Sequence, residues 1–358
     1  MTKPFSTDVI IIGAGLSGLT SASILTQQGR TVTVLESRSR IGGRILTSGY
    51  SENKPIELGA TWLGRKHTNV LELLESLDLE IFQQEIGGKA FYEPISTSPP
   101  YIVTVPESDD PSYRIRGGSY RIIEKLIEII GEENIRTSEK VTSISEHDDR
   151  IEISTQNRSF SAQKVISTIP PNLLANTVTI NPPLPQSVID ISKSTHTWMD
   201  NSIKVALTYA APFWNEPNLS GTIASNVGPI QEMYDHSNYE KSFFALMGFF
   251  NSSYHSLSKA ERLERTLSQL EKYYAAKAKD YISYQEYVWH EDDNTFFPYT
   301  TDVMPHQNNG HAIFQTLQME DRLILSGTET SPVYSGYMDG AIYSGKIAAA
   351  KATAQKIT

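Results

Sequence analysis

The chain has 358 residues, of which 39% are hydrophobic and 20% charged, values ordinary for a globular protein and a length that favours two domains. A net charge of −10 without clustered Lys and Arg argues against nucleic acid as a partner, because neutralising phosphates needs such clusters. The complete lack of cysteine excludes disulfides, thiolate catalysis and Cys-ligated zinc, and fits a reducing compartment.

Residues 7–12 are apolar almost throughout and read as a buried parallel strand. With that strand starting so early, no room is expected for a signal peptide. No run of about eighteen apolar residues follows anywhere, so neither a spanning helix nor a membrane partner is expected. The expected location is cytoplasmic.

Gly13-Ala14-Gly15-Leu16-Ser17-Gly18 comes next, then a crossover helix over 16–28 ended by Gly29, and a second strand over 31–36 with Glu36 at its tip. This is the layout of a dinucleotide-binding βαβ unit. Gly13 permits the tight turn, Gly15 lets backbone N–H groups approach a pyrophosphate, and Gly18 allows close helix–strand packing. The helix N-terminus, with Leu16 and Ser17, faces the phosphate charge. Glu36 is placed to accept hydrogen bonds from ribose hydroxyls, beside Ser37 and Arg38, and its carboxylate disfavours a 2′-phosphate.

Further along, 69–77 has a helical apolar face formed by Val70, Leu71, Leu74 and Leu77. The stretch 93–112 reads as strand and loop. An amphipathic helix through about Ile130 follows Gly117-Gly118-Ser119, then short strands at 135–145, 150–155, 158–161 and 164–168. The segment 181–185, Asn-Pro-Pro-Leu-Pro, reads as a linker into a β-rich region over 203–250 and a helix at about 258–277. A last buried strand at 322–326 leads into a second glycine-punctuated turn, Gly327-Thr328-Glu329, and a helix beginning near Met338.

The fold class expected is α/β, a Rossmann-like dinucleotide domain interleaved with a smaller α+β substrate domain built on a β-sheet. The former takes 1–82, 114–170 and 296–358, the latter 83–113 and 171–295.

Arg40-Ile41-Gly42-Gly43-Arg44 directly after the second strand, together with Gly327-Thr328-Glu329 and Ser335-Gly336-Tyr337-Met338-Asp339-Gly340-Ala341, resembles the flavin-containing amine oxidase family over nearly the whole length. The resemblance implies FAD as cofactor. It places Gly42, Gly43 and Arg44 along the pyrophosphate and flavin, Gly59-Ala60-Thr61-Trp62 beside the flavin ring, and Val141 against adenine. It places Gly327, Thr328 and Glu329 at ribityl and phosphate, with the Met338 helix pointing at the flavin N1–C2=O edge. Tyr299 and Tyr337 resemble the family's paired aromatic walls, and Lys204 the lysine that holds a water against flavin N5. Each tyrosine also reads as a core ring with a bonded hydroxyl, and Lys204 as an edge-strand lysine facing solvent. Trp289 resembles a tryptophan near the flavin, though core packing accounts for it equally; Trp62 reads as cavity wall or core.

Pro298 stands where monoamine oxidases carry the flavin-bonding cysteine, so FAD is expected to be non-covalent unless a histidine attaches it. The stretch 84–116 is short for the family, implying a reduced helical wall around the substrate. The eight histidines show no HxH or HExxH spacing, and no metal is expected. The activity implied is oxidation of a small-molecule amine with O2 as acceptor. A related flavin desaturase and a flavin-binding protein without turnover are the alternatives.

Overall fold

The computed structural model describes residues 5–216 and 218–354. Two sheets organise it. The first has eight strands in the order Thr179–Asn181, Val141–Glu146, Ile151–Thr155, Ser159–Ser167, Phe5–Ile12, Val32–Leu35 and Ile135–Arg136, with Leu323–Leu325 pairing Ser159–Ser167. The second has seven, in the order Tyr281–Val288, Ile203–Tyr209, Phe244–Phe250, Ile230–Asp235, Leu219–Ser225, Gly88–Glu93 and Tyr101–Val105. This is the α/β class expected.

In Phe5–Ile12, Val9 to Ile12 are all buried, as a strand covered on both faces requires. It pairs in parallel with Val32–Leu35 on one side and Ser159–Ser167 on the other. The helix Leu16–Gln27 carries Ser, Ala and Gly where it meets Met338–Thr353, and small residues let the two axes close in. A Cβ on Gly345 would lie 2.5 Å from the Ser17 carbonyl oxygen. Ser21 Oγ donates to the Gly345 carbonyl at 3.0 Å, and the Ser17 and Ser326 hydroxyls meet at 2.9 Å. The first and last helices are thereby joined across one sheet.

The helix Lys259–Tyr274 starts at a capping box, Ser258 accepting from the Glu261 N–H while the Glu261 carboxylate accepts from the Ser258 N–H. Its Leu270, Tyr273 and Tyr274 pack on the second sheet beside Trp214 and Leu246. The segment 84–116 holds the strands Gly88–Glu93, Tyr101–Val105 and Tyr113–Ile115 and no helix.

Two expectations differ from the structure. The short strands expected at 158–161 and 164–168 form one strand, Ser159–Ser167. Its first half pairs antiparallel with Ile151–Thr155 and its second half in parallel with Leu323–Leu325, so pairing continues past the polar Gln163. The segment 171–185, expected to lie with the second sheet and a linker, packs on the first. Thr179–Asn181 pairs with Val141–Glu146, and Leu174, Leu184 and Val188 share a core with Ile10 and Val165. Those leucines have apolar surface to bury, which a solvated linker leaves exposed.

Candidate cofactor and active site

A long cavity begins at the carboxyl end of Phe5–Ile12 and ends against the second sheet. Gly13, Gly15, Leu16, Ser17, Glu36, Ser37, Arg38, Gly42, Gly43, Arg44, Gly59, Ala60, Thr61, Trp62, Val141, Lys204, Trp289, Gly327, Thr328, Tyr337 and Met338 all line it. Residues more than three hundred positions apart thus border one space.

The glycines are there for steric reasons. Gly13 has φ +104°, and a Cβ on it would sit 2.5 Å from Thr168 Oγ1. Gly15 and Gly43 cross so closely that a Cβ on Gly43 would lie 3.0 Å from the Gly15 Cα. Leu16–Gln27 and Met338–Thr353 both begin at this cavity, and neither has a side-chain N-cap; Gly15 and Tyr337 are the cap residues. The Asp339 carboxylate, in the first turn of the latter, is spent on the Val70 N–H and Asn69 Nδ2 at 3.0 Å each. Both helix starts therefore keep N–H groups free for an anionic or carbonyl-bearing ligand.

At one end lies Glu36, 2% exposed, whose carboxylate accepts from the Ala14 and Arg38 N–H groups at 2.8 and 2.9 Å. These bonds fix its orientation across the turn. The Arg38 guanidinium reaches Asp292 at 2.7 Å and Thr295 Oγ1 at 2.8 Å.

At the other end is Lys204, 3% exposed, on the inner strand Ile203–Tyr209 between Phe244–Phe250 and Tyr281–Val288. That position removes the reading of Lys204 as a solvent-facing edge lysine. Its Nζ donates to the Gly59 carbonyl at 2.6 Å and to Thr61 Oγ1 at 2.5 Å, with the Glu57 carbonyl at 3.5 Å. The Trp62 and Phe249 ring centroids each lie 5.1 Å from it and 5.8 Å from one another, so both rings sit on one side of the ammonium. Burial lowers the Lys204 ammonium to about 7, with the nearby Glu57 opposing the fall. Glu57 is itself raised by burial, although the Ser119 N–H and Thr47 hydroxyl bind its carboxylate. Trp289 donates from Nε1 to the Leu58 carbonyl at 2.9 Å, and Trp62 from Nε1 to Gln84 Oε1 at 3.1 Å, so both are cavity walls with fixed rings.

Three expected residues are not on the cavity wall. Gly18 is buried in the helix–strand contact, where a Cβ would meet the Gly13 carbonyl oxygen at 2.0 Å. Glu329, expected at ribityl and phosphate, holds Arg44 with its carboxylate at 2.6 and 2.8 Å and is 1% exposed. Burial pulls the Arg44 guanidinium down, and Glu329 together with Asp200 and Tyr299 outweighs it, leaving Arg44 raised. Tyr299, expected as an aromatic wall, lies off the lining of this cavity and braces the 197–200 segment. Its hydroxyl accepts from the Thr197 N–H at 2.9 Å and donates to Asp200 Oδ2 at 2.7 Å. The rings beside Tyr337 are those of His67, at 5.5 Å between centroids, and Trp198, at 6.3 Å and 34° between planes.

Trp198 and Phe249 were not singled out in the sequence. Phe249 is revealed only by the strand register that sets it opposite Lys204. Trp198 sits in an irregular segment with no periodicity to mark it. Among the described residues no group of three or more His, Asp or Glu is placed to hold a metal.

With this geometry in hand, the comparisons with known proteins are direct. The family model for flavin containing amine oxidoreductases matches residues 16–94 and 98–353. The chain belongs to that family and is a flavin-dependent oxidoreductase of amines. Human amine oxidase [flavin-containing] B is 24% identical over 96% of this chain and 85% of its own length. A probable flavin-containing monoamine oxidase A of Dictyostelium discoideum is 25% identical over 94% of this chain and 95% of its own. Putrescine oxidase, at 21% identity, superposes with a TM-score of 0.84 over 99% of this chain and 100% of its own. Cyclohexylamine oxidase from Brevibacterium oxydans, at 20% identity, gives 0.82 over 97% and 98%. Both structures share the fold.

The residues present fit a flavin dinucleotide. Two uncapped helix starts supply donors, crossed glycines supply close approach, and a carboxylate stands at one end of the cavity with an aromatic, lysine-bearing chamber at the other.

Proposed function

We propose that the chain oxidises a small amine with non-covalently held FAD, releasing an aldehyde and ammonia or a smaller amine after imine hydrolysis, with O2 reduced to H2O2. The observation that carries this reading is Lys204. A lysine on an inner strand, with its Nζ bound to the Gly59 carbonyl and the Thr61 hydroxyl and with two aromatic rings 5.1 Å away, borders the same cavity as the Gly13–Gly18 turn. FAD, when bound, supplies the two-electron acceptor for hydride from the amine's α-carbon.

The chain's own contribution is positioning and exclusion of water. Lys204 tethers Gly59 and Thr61, and so fixes the 59–62 segment lining the chamber. With its ammonium lowered to about 7 it also holds or releases a proton at Nζ near neutral pH. The Trp62, Phe249 and Trp289 rings keep the chamber dry around it. Glu36 and the start of Leu16–Gln27 would hold ribose and pyrophosphate, and the start of Met338–Thr353 would face the electron-rich edge of the reduced cofactor. The first sheet, on this reading, carries the cofactor and the second the substrate.

We infer a cytoplasmic location, with which a composition lacking cysteine is consistent. The test is anaerobic titration of FAD-loaded protein with primary amines. Bleaching of the flavin followed by peroxide formation on admitting air supports the reading. Bleaching by none of them, or only by a polyene with reoxidation by a quinone, refutes it.

A further inference from the structure

The hydrogen-bond partners of the Lys204 amine are all neutral oxygens. They are the Gly59 carbonyl at 2.6 Å, Thr61 Oγ1 at 2.5 Å and the Glu57 carbonyl at 3.5 Å. The Glu57 carboxylate is spent elsewhere, on the Ser119 N–H and the Thr47 hydroxyl. The Thr61 hydroxyl proton goes to the Gly59 carbonyl at 3.0 Å, so its oxygen accepts from Nζ and does not donate to it. The two N–H groups of a neutral amine thus meet both close partners. The third proton of an ammonium finds no acceptor nearer than the Glu57 carbonyl. In the neutral amine that third position is the lone pair, on a residue that lines the cavity.

The surroundings supply no other charge to hold a proton there. Phe249 and Tyr287 stand opposite Lys204 on the two flanking strands, and the Tyr287 hydroxyl is committed to Asp292. Trp62 presents its ring. His236, whose Nε2 accepts from the Glu57 N–H, is pushed well below its ordinary value by burial, with Arg114 and Lys204 adding to the fall. A neutral, desolvated lysine in a cavity is the form in which an amine acts as a nucleophile.

We propose that Lys204 is a carbonyl-capturing nucleophile, which takes a small aldehyde as a reversible imine. The Nζ lone pair adds to the carbonyl carbon, and the C=O pair moves to oxygen, which takes up a proton. The carbinolamine then loses water to give the C=N bond. Protonated, that imine keeps one N–H for Gly59 or Thr61 and gives up the other, which favours its reversal. The capture goes beyond the amine-oxidation reading; only the identity of the aldehyde as the enzyme's own product rests on that reading.

The test treats FAD-loaded protein at pH 7 with acetaldehyde and cyanoborohydride, whose hydride reduces an imine carbon and leaves an ethyl group on nitrogen. Peptide mass spectrometry follows each lysine. At that pH roughly half of a lysine near 7 is neutral, against less than ~0.1% of an ordinary exposed one. Lys204 should be ethylated at least tenfold faster than the exposed Lys54, Lys277 and Lys279, and should lose that lead in concentrated urea. A lead below tenfold, or one that survives urea and so owes nothing to the chamber, overturns the proposal. A second arm omits acetaldehyde and supplies, in air, a primary amine that bleaches the flavin. Alkylation of Lys204 by the aldehyde formed in place is expected, and bleaching without it removes the enzyme's own product as the ligand. Should no amine bleach the flavin while added acetaldehyde still labels Lys204, the oxidase reading fails and the capture stands.

Discussion

Replacing Lys204 with Met separates what the buried amine does for folding from what it does for chemistry. Moving an ammonium from 10.5 to about 7 corresponds to roughly 5 kcal/mol of preference for the neutral form, at ~1.4 kcal/mol per pH unit. The sign follows from proton counting. Between about 7 and 10.5 the unfolded chain keeps a proton on Lys204 that the folded chain has shed, so stability rises with pH across that window. Methionine fills a similar volume and carries no proton, so the Lys204→Met protein lacks this rise.

Two opposing changes accompany it. Gly59 and Thr61 lose a donor, a cost of about 1–3 kcal/mol, and Glu57 loses the cation that lowered its carboxyl. Near pH 7 these losses partly cancel the gain from removing a half-charged buried group, and the two proteins should differ by no more than ~2 kcal/mol. The assay is urea unfolding of parent and K204M at pH 6.5 to 9.5, with stopped-flow flavin reduction and reoxidation on the same samples. The parent should gain up to ~1.4 kcal/mol per pH unit relative to K204M, and K204M should slow reduction or reoxidation while retaining FAD. Parallel stability curves would refute the buried, proton-shedding lysine. An unchanged stopped-flow trace would remove Lys204 from the mechanism.

Gly18→Ala puts a methyl 2.0 Å from the Gly13 carbonyl, so the turn must shift and the protein should emerge without bound flavin, read from its absorbance. Glu329→Ala leaves Arg44 without its bidentate partner, and breaking a largely buried pair from one side typically costs about 3–5 kcal/mol. Lowered thermal stability together with weaker FAD retention is expected, and calorimetry with a dialysis assay checks both. Ser258→Ala removes the capping box far from the cavity and should cost ~1 kcal/mol. The thermal midpoint then drops by a few degrees with amine oxidation unchanged, which makes it the control for the other variants.

Much of the cofactor end was legible in the chain because its determinants are local. A turn that must reach φ +104° at Gly13 and bring Gly18 against its own backbone can be built from little besides glycine. Glu36 follows at a distance set by one helix and one strand, so spacing alone placed it. Gly327 and Met338 were legible for the same reason, being a turn and a helix start written in consecutive residues.

What the tertiary structure alone decided concerns side chains whose partners lie far off in sequence. Lys204 is internal because Phe244–Phe250 and Tyr281–Val288 flank its strand, a neighbourhood no local pattern reports. Glu329 is a brace because Arg44, 285 positions away, claims both its oxygens. Tyr299 carries the motif of a cavity wall, yet its hydroxyl is claimed by Asp200 and Thr197, 99 and 102 positions away. Local constraints are set by the backbone's own sterics and can be read in order along the chain. The direction a buried polar side chain takes is settled by whichever distant group satisfies it, and that pairing exists only once the sheets have come together.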